Sequence, residues 1–146
     1  LYPGRGDRAR RAAEGIRYGP HARHHLDIWV PSNPDTAKLP VVVFFYGGGW
    51  HAGDRADYGF AGAAFAAQGF VAIVPDYRLV PEVRYPDFLE DAALSLRWVW
   101  QNIAFYGGDP AKITVSGHSA GAYIAAMLAL DPRWLAAVQL PSDTVK

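Results

Sequence analysis

Six residues, Val41-Val42-Val43-Phe44-Phe45-Tyr46, run without a polar face into three successive glycines, Gly47-Gly48-Gly49. β-Branched and aromatic side chains favour extended backbone, and a strand with no polar side has to be covered on both faces. A parallel sheet held between helices meets that condition, and the rest of the pattern agrees with it. Residues 25–30 alternate polar and apolar before Pro31, as a half-exposed strand does. Residues 31–40 form a turn-rich loop. Residues 70–75 are a second buried run, and residues 113–115 a short third.

Helical patterns separate these strands. Residues 58–68 are rich in Ala and Phe and stop at Gly69, a glycine C-terminal signal. Over 87–103, Phe88, Ala92, Leu96, Val99 and Ile103 recur at helical spacing, with Leu89, Ala93 and Trp100 flanking the same stripe. Residues 120–130 form an Ala-rich helix that ends before Pro132. Strands alternating with helices predict an α/β fold with a mostly parallel sheet and right-handed crossovers. At 146 residues the chain is one domain or part of one.

Composition narrows the function classes. Hydrophobic residues make up 51% and charged residues 19%, which predicts a packed core rather than disorder. Lys+Arg and Asp+Glu both number 14, so the basic surplus of a nucleic-acid binder is absent. With no cysteine there is no thiolate nucleophile, disulfide or thiolate metal site. No apolar run approaches the roughly 20 residues of a membrane span. The first residues carry no apolar signal core, so the compartment stays open, with the cytoplasm as the default.

Residues 1–24 are read as a basic N-terminal segment, solvated rather than bound to a phosphate or membrane surface. The tripeptide Arg5-Gly6-Asp7 is too short to carry a binding signal. His21, His24 and His25 lack a carboxylate at a fixed spacing, so they are read as part of the same solvated segment and not as a metal site.

The chemistry concentrates at Gly117-His118-Ser119-Ala120-Gly121, which follows the strand 113–115 and opens the helix 120–130. A sharp strand-to-helix turn forces the serine into a strained backbone conformation, and flanking glycines remove side chains that would collide there. The hydroxyl then projects from the turn, with a helix N-terminus behind it to stabilise developing negative charge. The plain alternative is a serine that caps the helix. A serine nucleophile also needs oxyanion donors and a base. Gly47-Gly48-Gly49-Trp50, at the end of a buried strand, offers backbone N–H groups unobstructed by side chains. A phosphate loop is the competing reading, but neither a following Lys-Ser/Thr nor a G-x-G-x-x-G spacing is present.

On these blocks the chain resembles the α/β-hydrolase superfamily. The likeness is to the hormone-sensitive-lipase-like and carboxylesterase-like esterases with a His-Gly-Gly-Gly-Trp oxyanion loop. Tyr46-Gly47-Gly48-Gly49-Trp50, Asp76-Tyr77-Arg78-Leu79 with Pro81-Glu82 and Pro86, and Gly117-His118-Ser119-Ala120-Gly121 carry it, in the family's order. Leu26-Asp27-Ile28-Trp29-Val30-Pro31 resembles an early strand of these enzymes. The resemblance implies that residues 25–146 are the N-terminal portion of one α/β-hydrolase domain. It makes Ser119 the nucleophile and Gly48, Gly49 and Ala120 the oxyanion donors. Trp50, His51 and Tyr123 become candidates for the substrate pocket. It also implies that Asp76, Tyr77 and Arg78 form a buried polar scaffold beneath the site. Asp54 fits a polar position after the glycine loop, with no role assigned.

Two departures from the family pattern stand out. Tyr46 occupies the place of the usual histidine, which holds the loop rather than moving protons, and Tyr keeps a hydrogen-bonding tip. The family's acid and histidine lie well downstream of the serine, whereas only 27 residues follow Ser119. Residues 140–146 look like the approach to a further strand. His118 points away from the serine in an elbow, and His51 has no evident acid to orient it. Asp131 and Asp143 read as helix-end and loop residues.

The expected reaction is therefore hydrolysis of a small-molecule ester through an acyl-serine, weak or absent in this length of chain. The missing acid and histidine would come from a C-terminal segment or a second chain. An exposed sheet edge predicts association, a dimer included. An arylformamidase-like amide hydrolase uses the same parts, and a non-catalytic α/β module is the reading from a different class. No cofactor is implied.

Overall fold

The computed structural model describes residues 8–34 and 38–146. Arg5-Gly6-Asp7 and the chain start lie outside them, as does Asp35 of the turn-rich loop. One five-stranded sheet organises the chain, in the order β1-β2-β4-β3-β5. Its strands are β1 (Ala9–Arg17), β2 (His25–Pro31), β3 (Leu39–Phe45), β4 (Val71–Pro75) and β5 (Gly108–Gly117). β4, β3 and β5 are parallel to one another, and β1 and β2 extend the sheet antiparallel. The helices are α1 (Gly59–Ala67), α2 (Asp87–Asn102), α3 (Ala120–Leu130) and α4 (Pro132–Ala136).

β3 is buried along nearly its whole length, and β4 throughout, as their unbroken apolar runs require. On β3, Phe44 sends its ring to Tyr58 and to Phe65 of α1. α2 and α3 pack against each other, and α3 packs on β3 and β5. The α2 stripe is largely as expected, with Phe88, Leu89, Ala92, Ala93, Leu96, Val99 and Ile103 all buried. Trp100 departs from it and stands 43% exposed, on the outer side of the helix.

The solvated arm expected over residues 1–24 is corrected where the structure describes it. Ala9–Arg17 is a nine-residue edge strand paired with β2. Its ladder shifts register twice, and Gly15 takes φ +64° where its N–H donates to Asp27 Oδ1 at 2.8 Å. Arg10, Arg11 and Arg17 line the exposed side of this edge or its end, where charge discourages pairing with another sheet. His24 is corrected too: it is buried, and its Nε2 lies 2.8 Å from Asp91 Oδ1. Among the described residues no group of three His, Asp or Glu is placed to hold a metal, and no helix is long and apolar enough to cross a membrane.

β4 lies on one side of β3 and β5 on the other, so the chain reverses its direction of travel across the sheet at β3. In open α/β sheets the crevice at such a switch point, at the carboxyl ends of the strands, is where ligands bind. The glycine loop leaves the end of β3 and the serine turn leaves the end of β5. Both predicted blocks therefore meet at that crevice.

Candidate active site

Ser119 occupies the position just before α3 with φ +54° and ψ −115°, a conformation that L-residues adopt at a cost of order 1–3 kcal/mol. Its side chain makes no capping bond to the helix, and the residue is exposed. The capping alternative is thereby removed. The flanking glycines are steric necessities. A Cβ at Gly117 would overlap the Gly121 carbonyl, and one at Gly121 would overlap the Phe45 carbonyl. The turn is thus pressed against the end of β3, where His118 N–H donates to Phe45 O at 3.1 Å.

The glycine loop lies beyond the ladder, whose β3–β5 register ends at Phe45↔Gly117. A Cβ built on Gly47 would come within 3.2 Å of Ser119 Cβ, so loop and elbow are in direct contact. Gly49 and Trp50, at φ +60° and +61°, form a tight turn closed by His51 N–H donating to Gly48 O at 3.1 Å. Gly48 and Gly49 are exposed. Ala120 is the first residue of α3, and the next three N–H groups are taken by His118 and Ser119 carbonyls. Its own N–H has no acceptor within the helix, as first-turn geometry requires.

Two clefts open beside this junction. One, of about 310 Å³, is lined by Gly49, Trp50, His51, Tyr85, Phe88 and Tyr123, among others. The pocket candidates Trp50, His51 and Tyr123 are therefore brought together. The Trp50 ring stacks on Phe88 and meets Tyr123 edge-on. A hydrogen bond to Tyr85 is the main cause that raises the Tyr123 phenol above its usual range. The second cleft, of about 690 Å³, is lined chiefly by Phe44, Tyr58, Phe60 and Ala61 with Gly47, Gly48 and His118. Asp54, unassigned from sequence, caps the short 3-10 turn Arg55–Tyr58 by accepting from Ala56 N–H at 2.9 Å.

Beneath the loop lies the polar scaffold. Tyr46 O–H donates to Asp76 Oδ1 at 2.5 Å, and Tyr77 O–H donates to the Tyr46 carbonyl at 2.7 Å. Burial, then the Asp76 charge, pushes the Tyr46 phenol far above its ordinary range, so it remains a donor. Burial likewise raises Tyr77. Arg55 spans two carboxylates, with Nη1 on Asp76 Oδ2 at 2.5 Å and Nε on Asp27 Oδ1 at 2.9 Å. Burial acts to lower the Arg55 pKa, and the hydrogen bonds to Asp76 and Asp27 reverse that. Arg78 grips Asp91 through its backbone N–H and its guanidinium. For Asp91, burial acts to raise the carboxyl, and the bonds from His24 and Arg78 outweigh it and bring it below the usual range.

Sequence reading placed Asp76, Tyr77 and Arg78 in such a scaffold but missed Arg23, His24, Asp27, Arg55 and Asp91. A usable signal existed in Asp27, the one charge inside the strand pattern 25–30. His24 and Asp91 line a separate cleft that shares no residue with those at the elbow.

A strained serine elbow at the carboxyl end of a parallel strand, facing a glycine loop, defines an α/β-hydrolase. The chain belongs to the BD-FAE family, which matches residues 26–134. It is similar to the esterase LipC of Mycobacterium tuberculosis, 36% identical over 133 residues, covering 88% of this chain and 33% of that protein. The carboxylesterase NlhH of the same species is 47% identical over 103 residues, 69% of this chain and 31% of that protein. Esterase B from Lactobacillus rhamnosis, solved in an inhibited form, superposes with a TM-score of 0.80 at 29% identity. That match covers 84% of this chain and 40% of the esterase. The chain spans about a third of the length of the curated relatives it matches.

Proposed function

We propose that this chain carries the nucleophile and oxyanion donors of a serine carboxylic-ester hydrolase. Ser119 Oγ attacks the ester carbonyl carbon, and the carbonyl electron pair moves onto oxygen. The N–H groups of Gly48, Gly49 and Ala120 stabilise that oxyanion. Collapse forms the acyl-Ser119 and releases the alcohol, which takes up the serine proton through a general base. Water then cleaves the acyl-serine to the acid and frees Ser119. The cleft of Trp50, His51 and Tyr123 receives part of the small-molecule ester.

The observation that carries this reading is Ser119 at φ +54°, uncapped, exposed and in contact with Gly47. The His–carboxylate pair among the described hydrogen bonds, His24–Asp91, belongs to the scaffold. The base for Ser119 and its acid are supplied by polypeptide outside this sequence, in the same protein or in a second chain.

In the full-length protein a fluorophosphonate probe labels Ser119, identified by peptide mass. Ser119→Ala abolishes both labelling and hydrolysis of a short-chain nitrophenyl ester, a loss of about 10⁴-fold or more in kcat. Full activity in Ser119→Ala would remove the proposal. Preference for N-formyl aryl amides over esters would move the reaction to the amide class with the same residues.

A further inference from the structure

We infer that Arg23 is a positioning residue for the oxyanion loop, an inference that rests on the hydrolase reading above. Arg23 comes from the turn between β1 and β2, a part of the molecule with no catalytic group. Its guanidinium nevertheless reaches three places around the loop. Nη2 donates to Tyr46 Oη at 2.8 Å and to the Gly53 carbonyl at 2.7 Å, and Nε donates to the Tyr77 carbonyl at 2.9 Å. Nη2 also lies 3.6 Å from Asp76 Oδ1.

Tyr46 and Gly53 bracket the segment that holds Gly48, Gly49 and Trp50. One nitrogen thus ties the entry of the loop to its exit. The tie is tight, because a Cβ at Gly53, which sits at φ +121°, would collide with the Tyr46 ring. The direction of each bond is also determined. Tyr46 spends its single proton on Asp76, so its oxygen can only accept from Arg23. Tyr77 in turn holds the Tyr46 carbonyl, and Arg23 holds the Tyr77 carbonyl, which closes a ring of bonds under the glycines.

A planar guanidinium with several donors in a fixed fork serves three acceptors at once, where an ammonium on a flexible stem does not. A loss of this grip lets the loop N–H groups wander from the oxyanion, while Tyr85, Phe88 and Tyr123, cleft residues outside the tied segment, still hold the substrate. Displacements near 1 Å in such donors cost on the order of 10²-fold in rate.

The test uses the full-length protein with Arg23→Gln, Arg23→Lys, Tyr46→Phe and the double variant Arg23→Gln/Tyr46→Phe. Arg23→Gln is expected to lower kcat for a short-chain nitrophenyl ester about 10- to 100-fold with KM within about twofold, and Arg23→Lys to fall between it and the parent. The double variant should be little worse than the poorer single variant, because both substitutions break one chain of bonds. Arg23→Lys keeps a cation beside Asp76, so if Arg23→Gln fails to fold, the kcat and KM of Arg23→Lys and Tyr46→Phe decide. Folded variants with unchanged kcat, or a loss confined to KM, overturn the inference. If the parent neither turns over ester nor reacts with the fluorophosphonate, it is the hydrolase reading that has failed.

Discussion

Asp76 and Asp91 are both sealed from solvent and both met by arginine, yet the two carboxylates hold different parts of the molecule. Asp76 is bound by Tyr46 and Arg55, the first at the mouth of the glycine loop and the second just after it. Asp91 is bound by His24 and Arg78, which fasten α2 to the β1–β2 turn and to the segment after β4. One cluster therefore sets the geometry of the site, and the other sets the position of a helix. On the proposed reading, the same ionic chemistry should report on activity in the first case and on stability in the second.

The sharpest way to break this comparison is to remove each carboxylate. Asp76→Ala removes one of the two carboxylates that hold Arg55 and leaves the Tyr46 hydroxyl without its acceptor. It should cost about 3 kcal/mol of stability in urea unfolding together with a fall in kcat in the full-length protein. Asp91→Ala should cost a similar stability with kcat per folded molecule nearly unchanged. If Asp91→Ala lowers kcat as far as Asp76→Ala does in the folded fraction, the division between the clusters is gone.

A smaller effect distinguishes charge from hydrogen bonding at Asp91. Asp91→Asn should cost about 2 kcal/mol near neutrality, the scale of bonds to a charged group. The folded carboxyl titrates below its unfolded value of 3.8. Its contribution is therefore complete above pH 3.8 and is lost as pH falls through the lower folded value. In thermal melts the parent should lose its advantage over Asp91→Asn in that acidic window, and a constant difference across it would contradict the role of charge. The least effect belongs to the edge strand, where Arg11 and Glu14 pair at 3.1 Å with both side chains largely in solvent. Glu14→Ala should shift stability by less than about 0.5 kcal/mol, checked by the same melts.

What could be read from sequence follows from these contrasts. β2, β3, β4 and the three longer helices announce themselves because their burial is periodic or continuous, and α3 spans the predicted residues. β1 does not, since Arg10, Arg11, Arg17 and four alanine or glycine neighbours carry no strand pattern. The strand exists because its partner β2 offers an edge. α4 escapes for a different reason. Pro132 ends α3 and also serves as the first residue of the next helix, capped by Asp131, which accepts from Arg133 N–H at 3.1 Å. At the site, Ser119 and its glycines are legible because local sterics dictate them. Of the clusters around Asp76 and Asp91 only Asp76, Tyr77 and Arg78 are legible, through the family resemblance, because the other members are remote in sequence, 67 positions apart for His24 and Asp91. No local pattern records such pairings.

Residues 41–45 of β3 and 113–117 of β5 march in step, partner by partner, until one strand turns into the glycines and the other into the serine. Neighbouring strands keep a separation of about 4.8 Å set by their backbone bonds. On the proposed reading, the spacing between the Ser119 oxygen and the loop amides is thus inherited from a peptide ruler rather than from side-chain fit. Core substitutions elsewhere can soften this protein long before they mistune its chemistry.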